Sequence, residues 1–494
     1  MFLEILTKIV HAVIFILSIL LVGIIAYNLS LFLVATISSK RHGRLQVAST
    51  PLKTISLIIP LKDEFSVLQG LTRSILDIDY PAELFEVIFV TPQFSVQFLE
   101  KSLLLLSRDG IQVKIVVDEG RGKPAALNLG LKVAVGEIVG IFDADSILPS
   151  NILRRVSEIF IDEGIVAIQG ITKSYNDVDN ILSKLISIEQ EIYFKVFLKP
   201  RSSLNLFIPF TGSCLFIKRD FLLRIGGWDT DSLTEDFDLA LRLYDEGAKV
   251  RLEPAVYCWQ EAPSMLRSYI IQRVRWFRGF IQLIPRNLRR LTSLEGLDIF
   301  LMLLGPVILS TSLLIFMYLL ISDKFVLFPL LKPLANLVGA IAIPSLICLV
   351  FKPRSLNKTL IFIAGIIGYW ILESSIATMS VIMGALGLKI KWVRTPKTGV
   401  RESLRDRWVF KKSSRILAIS KPSSELSTET IPNGISIHLQ PVVRTYSIPF
   451  KTTPSSALGQ PTLDLGGRKG LTTPHPKSLS PRNSIIHHAQ KKLK

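Results

Sequence analysis

Four long apolar segments constrain the fold of this 494-residue chain more than any other feature. Charged residues make up 20% of the chain, a smaller share than soluble domains usually carry. Each segment is long enough to cross about 30 Å of hydrocarbon as a helix. The segments are residues 9–37, 297–322, 325–351 and 359–388. The first is about twice as long as a signal-peptide core and no small-residue cleavage site follows it, so we expect an uncleaved anchor.

Cations beside these segments predict their orientation. "SSKRHGR" at 38–44 follows the first segment, and "FKPRSLNK" at 351–358 lies between the third and the fourth. Both should face the cytosol, together with the block from about 50 to 290. One more crossing would put the basic "KIKWVRTPK" on the opposite side. Either 359–388 folds back near Glu373, or another segment is not a simple span.

The positive charge of the chain is concentrated after the last apolar segment. Residues 389–494 hold 20 Lys and Arg against 5 Asp and Glu, which supplies +15 of the net +18. Their Ser, Pro and Thr content predicts a largely disordered tail that lies against anionic lipid headgroups, a reading we favour over nucleic-acid binding. We therefore expect no nucleic-acid partner. Cys214, Cys258 and Cys348 lack metal-site spacing and predict buried side chains in a reducing compartment.

The block between the first two apolar segments has the pattern of an α/β domain. Apolar runs at 54–61, 86–91, 113–118 and 137–145 predict buried strands, with helical patterns such as 66–78 and 122–135 between them. This alternation predicts a doubly wound sheet, in which ligands bind at the carboxyl ends of the strands. Residues that follow the strands are therefore the candidates for a site.

Two charged groups follow predicted strands. Asp143 and Asp145 end the fourth run, and two residues apart on a strand they would share a face. Such carboxylates suit Mg²⁺ or Mn²⁺ shared with a diphosphate, although Asp is also common where an ordinary strand ends. Arg121 and Lys123 open a helix between glycines, where they could hold an anion or simply form a basic turn.

Two further patterns lie later in the chain. Thr234 can cap a helix that starts with Glu235 and Asp236; the helix dipole favours acids there, and Asp236 could also be a general base. "QRVRW" at 272–276 lies in an amphipathic region, 264–285, typical of a helix in the membrane interface. Its arginines suit a leaving diphosphate, and its tryptophan could stack on a sugar ring.

Together these motifs resemble the membrane-integrated family-2 glycosyltransferases, which include cellulose, chitin and hyaluronan synthases and ceramide glucosyltransferase. The resemblance rests on Asp143-Ala144-Asp145, Thr234-Glu235-Asp236 and "QRVRW", in that order after "IPLKDE". It covers about residues 50–290, and "KWVRTPKTG" at 391–399 resembles a segment that follows the last helices in many relatives. It implies a GT-A-like doubly wound mixed sheet joined to transmembrane helices.

The resemblance also implies a role for each matching residue. Asp236 would be the catalytic base with Glu235 beside it, and Asp145 would bind the Mg²⁺ or Mn²⁺ cofactor. The donor would be bound by Glu64, Lys123 and Asp143. The leaving diphosphate and the acceptor would meet residues of the pentapeptide, namely Gln272, Arg273, Arg275 and Trp276.

One departure from the family pattern concerns the donor. Relatives usually carry an Asp-Asp pair at the end of the second strand, where this chain has Thr91-Pro92. A UDP-sugar is the donor that we expect, but another nucleotide, or a base contact from Asp118, stays open.

The predicted activity is inverting, metal-dependent transfer of a sugar from a nucleotide sugar to a growing polysaccharide. The alternative is transfer of one sugar to a lipid, such as a polyprenyl phosphate or a sphingolipid-like acceptor. A scaffold or transporter, with Lys332 and Glu373 as its intramembrane charges, is the least favoured reading. The protein should lie in the plasma membrane, contact its lipids, and face the cytosol with its catalytic domain.

These patterns divide the chain into five parts. They are an anchor at 1–45, a catalytic domain at 50–260, interface helices at 261–292, transmembrane segments at 297–388 and a basic cytosolic tail at 389–494.

Overall fold

The computed structural model describes residues 2–38, 52–321, 356–388, 397, 437–439 and 444–446. These residues all belong to one compact unit, Met1–Ile448. The predicted segment 325–351, Lys332, Cys348 and most of the predicted tail lie outside the described residues.

A seven-stranded mixed sheet forms the centre of the domain, with the strand order β3-β2-β1-β4-β6-β5-β7. β1 pairs in parallel with β2 and β4, whereas β6 runs antiparallel to β4 and β5. The predicted α/β class and mixed sheet are therefore confirmed. The strands are β1 (Ile55–Pro60), β2 (Phe85–Thr91), β3 (Gln112–Val117), β4 (Ile138–Ile141), β5 (Ile165–Ser174), β6 (Leu215–Lys218) and β7 (Lys249–Gln260).

The central strands are continuous apolar runs because helices cover both faces of the sheet. Every residue of β2 is buried. The helices of the domain are α2 (Phe65–Leu76), α3 (Glu100–Arg108), α4 (Lys123–Val133), α5 (Ile152–Ile159), α6 (Ile181–Ile192), α7 (Lys199–Ser203), α8 (Arg219–Arg224) and α9 (Glu235–Asp245). A π-helical turn, Tyr193–Leu198, joins α6 to α7. Short 3₁₀ segments are Ala82–Leu84, Gln93–Leu99 and Pro285–Thr292, and a small hairpin pairs β8 (Ile437–Leu439) with β9 (Arg444–Tyr446).

Helix α4 lies directly on the sheet because it carries a glycine at the contact. A Cβ at Gly130 would lie 2.5 Å from Cγ2 of Ile58 in β1, closer than real contacts allow. This close approach fixes the first residue of α4, Lys123, beside the carboxyl ends of the strands.

The remaining helices are long or apolar. They are α1 (Phe2–Ser38), α10 (Leu266–Leu283), α11 (Leu294–Leu303), α12 (Gly305–Ile321) and α13 (Leu356–Ala385). Two stretches in them, Thr7–Ala35 and Ile367–Ala385, are long and apolar enough to cross a membrane.

The predicted span at 297–322 is not one straight helix. α11 and α12 meet at a bend of 65° and qualify as a third span only when they are taken together. Pro306, the second residue of α12, explains the break, because proline lacks an N–H and clashes with the preceding turn of a helix. By contrast, α13 is continuous, so the first of the two alternatives, a fold-back near Glu373, is wrong.

Candidate active site

Lys123 and Asp143 form an ion pair at the carboxyl ends of the central strands. Lys123 Nζ lies 2.5 Å from Oδ1 of Asp143 and 2.8 Å from the carbonyl oxygen of Gly212. Burial by itself lowers the pKa of Lys123, but Asp143 and then Glu235 and Asp236 raise it above its ordinary value. Burial likewise raises the pKa of Asp143, and Lys123 more than reverses this. Both groups are therefore charged.

The two aspartates of the Asp-Ala-Asp motif do not share a strand face as predicted. β4 ends at Ile141, and a turn follows in which Ser146 N donates to the carbonyl oxygen of Asp143, 3.0 Å away. Asp143 stays half-exposed beside Lys123, while Asp145 is 4% exposed. The turn separates the environments of the two carboxylates.

Gln260 completes the contacts of Asp143. Its Nε2 donates to Oδ2 of Asp143 at 3.0 Å and to Oγ of Ser146 at 3.3 Å. Gln260 was not predicted from the sequence, because β7, whose last residue is Gln260, was not assigned. Had β7 been assigned, the position of Gln260 at its carboxyl end would have made it a candidate.

Asp145 meets a lysine from far along the chain. Its Oδ2 lies 2.6 Å from Nζ of Lys397 and accepts from the backbone N of Glu261 at 2.9 Å. Lys397 also donates to the Glu261 carbonyl oxygen at 2.8 Å. Burial alone lowers the pKa of Lys397, but Asp145 raises it above its ordinary value, so this is an ammonium–carboxylate pair. Lys397 belongs to the "KWVRTPKTG" segment, to which the sequence assigned no site residue.

The predicted metal site fits these donors only if Lys397 moves. Among the described residues, no cluster of three or more His, Cys, Asp or Glu could hold a metal ion. A carboxylate such as Asp145 is nevertheless the right hard ligand for Mg²⁺ or Mn²⁺, which commonly take one or two carboxylates with waters and substrate phosphates. The Lys397 ammonium already contacts Oδ2, so a cation bound to that oxygen would compete with it.

Asp236 faces the same cleft from the start of α9. Its Oδ1 accepts from the backbone N of Phe237 at 2.9 Å. A Cβ at Gly212 would lie 3.0 Å from Oδ2 of Asp236 and 3.4 Å from Nζ of Lys123. The Asp236 carboxyl and the Lys123 ammonium therefore both lie directly beside Gly212. Burial, and then the charge of Glu235, raises the pKa of Asp236 to about 7. A carboxyl with such a pKa is suited to accept a proton near neutral pH.

Helix α10, which carries "QRVRW", packs closely against the start of α9. A Cβ at Gly279 would lie 2.3 Å from Cγ2 of Thr234. Thr234 does occupy the predicted N-cap position, but its side chain makes no capping hydrogen bond. Arg275 donates to the carbonyl oxygen of Leu233 at 3.3 Å, and its charge lowers the pKa of Asp236 slightly against the effect of burial. Arg275 therefore lies beside the candidate base.

Arg273 points to a different set of partners. Its guanidinium pairs with Glu189 of α6, and its Nε lies 3.4 Å from Oε1 of Glu373 in α13. It also donates to the hydroxyl of Tyr369 at 3.3 Å and lies over the ring of Trp276, 4.7 Å from its centroid. These contacts join three helices, and none of them involves the aspartates of the cleft.

The other predicted site residues lie around this cleft at different depths. Glu64 precedes α2, and the next-but-one residue, Ser66, donates to the backbone oxygen of Lys397 at 3.2 Å. Glu235 is buried next to Asp236, and Gln272 and Trp276 are half-buried on α10. The structure thus brings Lys123, Asp143, Glu235, Asp236 and Arg275 together, with Asp145 and Lys397 beside them.

The chain is similar in sequence to known glycosyltransferases. Residues 138–351 match the family described as "Glycosyl transferase family group 2". A beta-monoglucosyldiacylglycerol synthase of Nostoc is 26% identical over 286 residues, which is 55% of this chain and 59% of the relative. A poly-beta-1,6-N-acetyl-D-glucosamine synthase of Staphylococcus aureus is 25% identical over 237 residues, 48% of this chain and 57% of the relative. The chain thus spans less than two thirds of the length of these relatives.

A solved structure shares the fold. A mannosyltransferase from Pyrobaculum calidifontis, in complex with GDP-Man and Mn²⁺, superposes with a TM-score of 0.53 at 19% identity. The match covers 76% of this chain and 100% of that one. Residues 138–351 are therefore similar to family-2 glycosyltransferase domains, and the chain has a GT-A-like fold.

Proposed function

We propose that this protein transfers a sugar, with inversion, from a nucleotide-sugar donor to an acceptor at the membrane surface, and that Asp236 is the catalytic base. One observation carries the proposal: Lys123, Asp143 and Asp236 converge around Gly212 at the carboxyl ends of the strands. Ligands bind at this edge of doubly wound sheets.

The reaction would be a single displacement at the anomeric carbon. An acceptor hydroxyl attacks that carbon while Asp236 takes its proton, and the bond to the nucleoside diphosphate breaks with its electron pair on the leaving oxygen. A positioned base of this kind typically contributes about 10²–10⁴-fold to the rate. Asp236 combines position and pKa for this step.

Fixed cations would stabilise the leaving group. Lys123 holds its ammonium at the cleft, and Arg275 lies near Asp236. Asp145 would hold the Mg²⁺ or Mn²⁺, whose chemical contribution when bound is to neutralise negative charge on the diphosphate. The solved mannosyltransferase with GDP-Man and Mn²⁺ supports such a cofactor for this fold.

The identity of the nucleotide depends on the ends of β2 and β3. Thr91 is fully buried, and its carbonyl oxygen accepts from the backbone N of Asp118 at 2.9 Å. Thr91 and Asp118 therefore lie next to each other where relatives place an Asp-Asp pair. This supports Asp118 as the base contact, with a UDP-sugar as the expected donor.

The acceptor and the location complete the proposal. The similar proteins include a synthase named for a glucosylated lipid and one named for a polysaccharide. The proposal therefore keeps both predicted acceptor classes, a lipid and a growing polysaccharide. The apolar stretches in α1 and α13 support an integral membrane protein. We place it in the plasma membrane with the catalytic domain in the cytosol.

The experiment is a donor screen with the purified full chain. UDP-glucose, UDP-N-acetylglucosamine and GDP-mannose are each supplied with Mg²⁺ or Mn²⁺, and release of nucleoside diphosphate is measured. NMR of the product gives the anomeric configuration, and gel analysis gives its length. Inverted product that requires a divalent cation and is lost in Asp236→Asn supports the proposal. Retained configuration, or wild-type turnover by Asp236→Asn, contradicts it.

A further inference from the structure

A cavity of about 260 Å³ is lined by Phe237, the residue after the candidate base, and by none of the donor-side residues Lys123, Asp143 and Asp145. Its wall is mostly apolar and is built mainly from α1, the π-helical turn, α7, α9, α10 and the bent pair α11–α12. Its lining residues include Tyr27, Tyr193, Arg201, Phe237, Asp298 and Gly305. Apolar cavities stay dry and take apolar ligands, and this one greatly exceeds the roughly 30 Å³ of one water.

One wall of the cavity belongs to α9, the helix that carries Asp236. Phe237 lines it and is the residue directly after Asp236. Tyr193 lines it as well, and among the causes that raise the pKa of Tyr193, after burial, is the negative charge of Asp236. A molecule in the cavity would therefore contact Phe237, the residue that follows the candidate base in the chain.

The opposite wall belongs to helices of membrane character. Ile24, Tyr27 and Asn28 come from the apolar stretch of α1, which also exposes large side chains such as Ile16 and Leu20. Gly305 lines the cavity at the 65° bend, and a Cβ there would meet no heavy atom within 4 Å. Open space therefore lies beside the bend between α11 and α12, on the side that faces α1 and α9.

The polar groups in the cavity carry no net charge. Arg201 is 2% exposed, and its Nη2 lies 3.0 Å from Oδ1 of Asp298. The hydroxyl of Tyr27 donates to the same oxygen at 3.1 Å. Arg201 Nε is buried and has no hydrogen-bond partner among the described residues. This N–H could donate to an uncharged oxygen, whereas an added anion would face Asp298 and leave the paired charges unbalanced.

We propose that this cavity holds the hydrocarbon chain of a neutral membrane lipid alcohol, and that this lipid is the sugar acceptor. The inference deepens the proposed function and rests on it. The lipid hydroxyl would reach Asp236 past Phe237. Its oxygen forms a bond to the anomeric carbon, its proton goes to Asp236, and the nucleoside diphosphate leaves with the electron pair of the bond that breaks.

The test compares two glycine substitutions in the full chain. Gly305→Leu fills the cavity from its wall, and since no atom opposes its Cβ it should keep the helix intact. Gly368→Leu is the matched control, because Gly368 in α13 also has open space around its Cβ and does not line the cavity. Native mass spectrometry counts bound dioleoylglycerol, the probe. We expect wild type and Gly368→Leu to bind it, and Gly305→Leu to bind it roughly tenfold more weakly.

A second variant and a transfer assay complete the test. Ile308→Phe fills the cavity from α12 and replaces Gly305→Leu if thermal melting shows that the latter is unfolded. Phosphatidylcholine vesicles containing either dioleoylglycerol or undecaprenyl phosphate receive the labelled nucleotide sugar, and we expect sugar on dioleoylglycerol only. Equal lipid binding by a folded filling variant, or sugar transfer only to undecaprenyl phosphate or to an oligosaccharide, overturns the inference. If wild type consumes no nucleotide sugar, the proposed function fails, while the lipid-binding comparison still decides what the cavity holds.

Discussion

At the scale of single residues, Asp236 determines how the reaction should depend on pH. Its pKa of about 7 stands well above the ordinary 3.8, so the free enzyme holds a protonated carboxyl in acid and loses its base there. We expect kcat/KM to fall about tenfold per pH unit below pH 7. Asp236→Asn should lower turnover by about 10²–10⁴-fold and leave donor binding nearly unchanged. The exposed Asp220→Asn is the control, and it should keep the wild-type profile.

The raised pKa of Asp236 also predicts how the stability of the protein depends on pH. Because folding raises this pKa, the native state binds its proton more tightly than the unfolded chain between about pH 4 and 7. Stability that comes from the protonated carboxyl is thus present in acid and is lost as the pH rises through 7. Asp236→Asn, which stays neutral, should melt at a higher temperature than wild type at pH 8, and the difference should vanish near pH 4. An equal difference at both pH values would contradict the assignment of the shift to Asp236.

Lys123 should act mainly on the donor. Lys123→Met removes the cation that pairs with Asp143 and that would face the diphosphate. We expect a KM for the nucleotide sugar raised by about tenfold or more, consistent with a charged hydrogen bond of about 1.5–3 kcal/mol. The acid limb of the pH profile should also move to higher pH, because the charge of Lys123 lowers the pKa of Asp236. Arg121→Met, two residues earlier and 77% exposed, is the matched control. A normal KM in Lys123→Met would separate Lys123 from the donor site.

At the scale of elements, the contacts of Arg273 indicate that it holds helices together, whereas the sequence predicted that it meets the diphosphate. Its contacts with Glu189 and Glu373 link α10 to α6 and α13, and it is 7% exposed. Removal of one member of a buried charge cluster typically costs about 3–5 kcal/mol. Arg273→Met should therefore lower the melting temperature by several degrees, whereas Arg275→Met should spare stability and reduce turnover. Normal melting with lost turnover in Arg273→Met would instead return Arg273 to its predicted place at the diphosphate.

Elements were predictable from the sequence where burial alone shapes the pattern. The runs at 86–91 and 113–118 agree within a residue or two with β2 and β3. β2 is covered on both faces and is therefore almost continuously apolar, and the edge strand β3 keeps enough buried apolar residues to give the same signal. The end of β4 was not predictable, since the turn at Asp143–Ser146 makes contacts with Ser213, which precedes β6, and with Gln260, the last residue of β7. The same applies to Lys397, which reaches Asp145 from 252 positions away.

At the scale of the whole molecule, Lys397 connects the segment that follows α13 to the candidate active site. Its ammonium contacts Oδ2 of Asp145, so a divalent cation bound to that oxygen should compete with it. Lys397→Met should bind Mn²⁺ more tightly than wild type in the absence of nucleotide, as measured by electron paramagnetic resonance. Lys132→Met, at an exposed position of α4, should bind as wild type does. Weaker Mn²⁺ binding by Lys397→Met would show that the lysine supports the cation rather than displacing it.

The contact of Lys397 with Asp145 also constrains the topology. The catalytic domain precedes α11, and Lys397 follows α13, yet the two touch. Both ends of the intervening stretch must therefore lie in the same aqueous compartment. If α13 crosses a bilayer, the chain leaves this compartment between residues 293 and 397 and has to return to it, so the number of crossings in that stretch would be even.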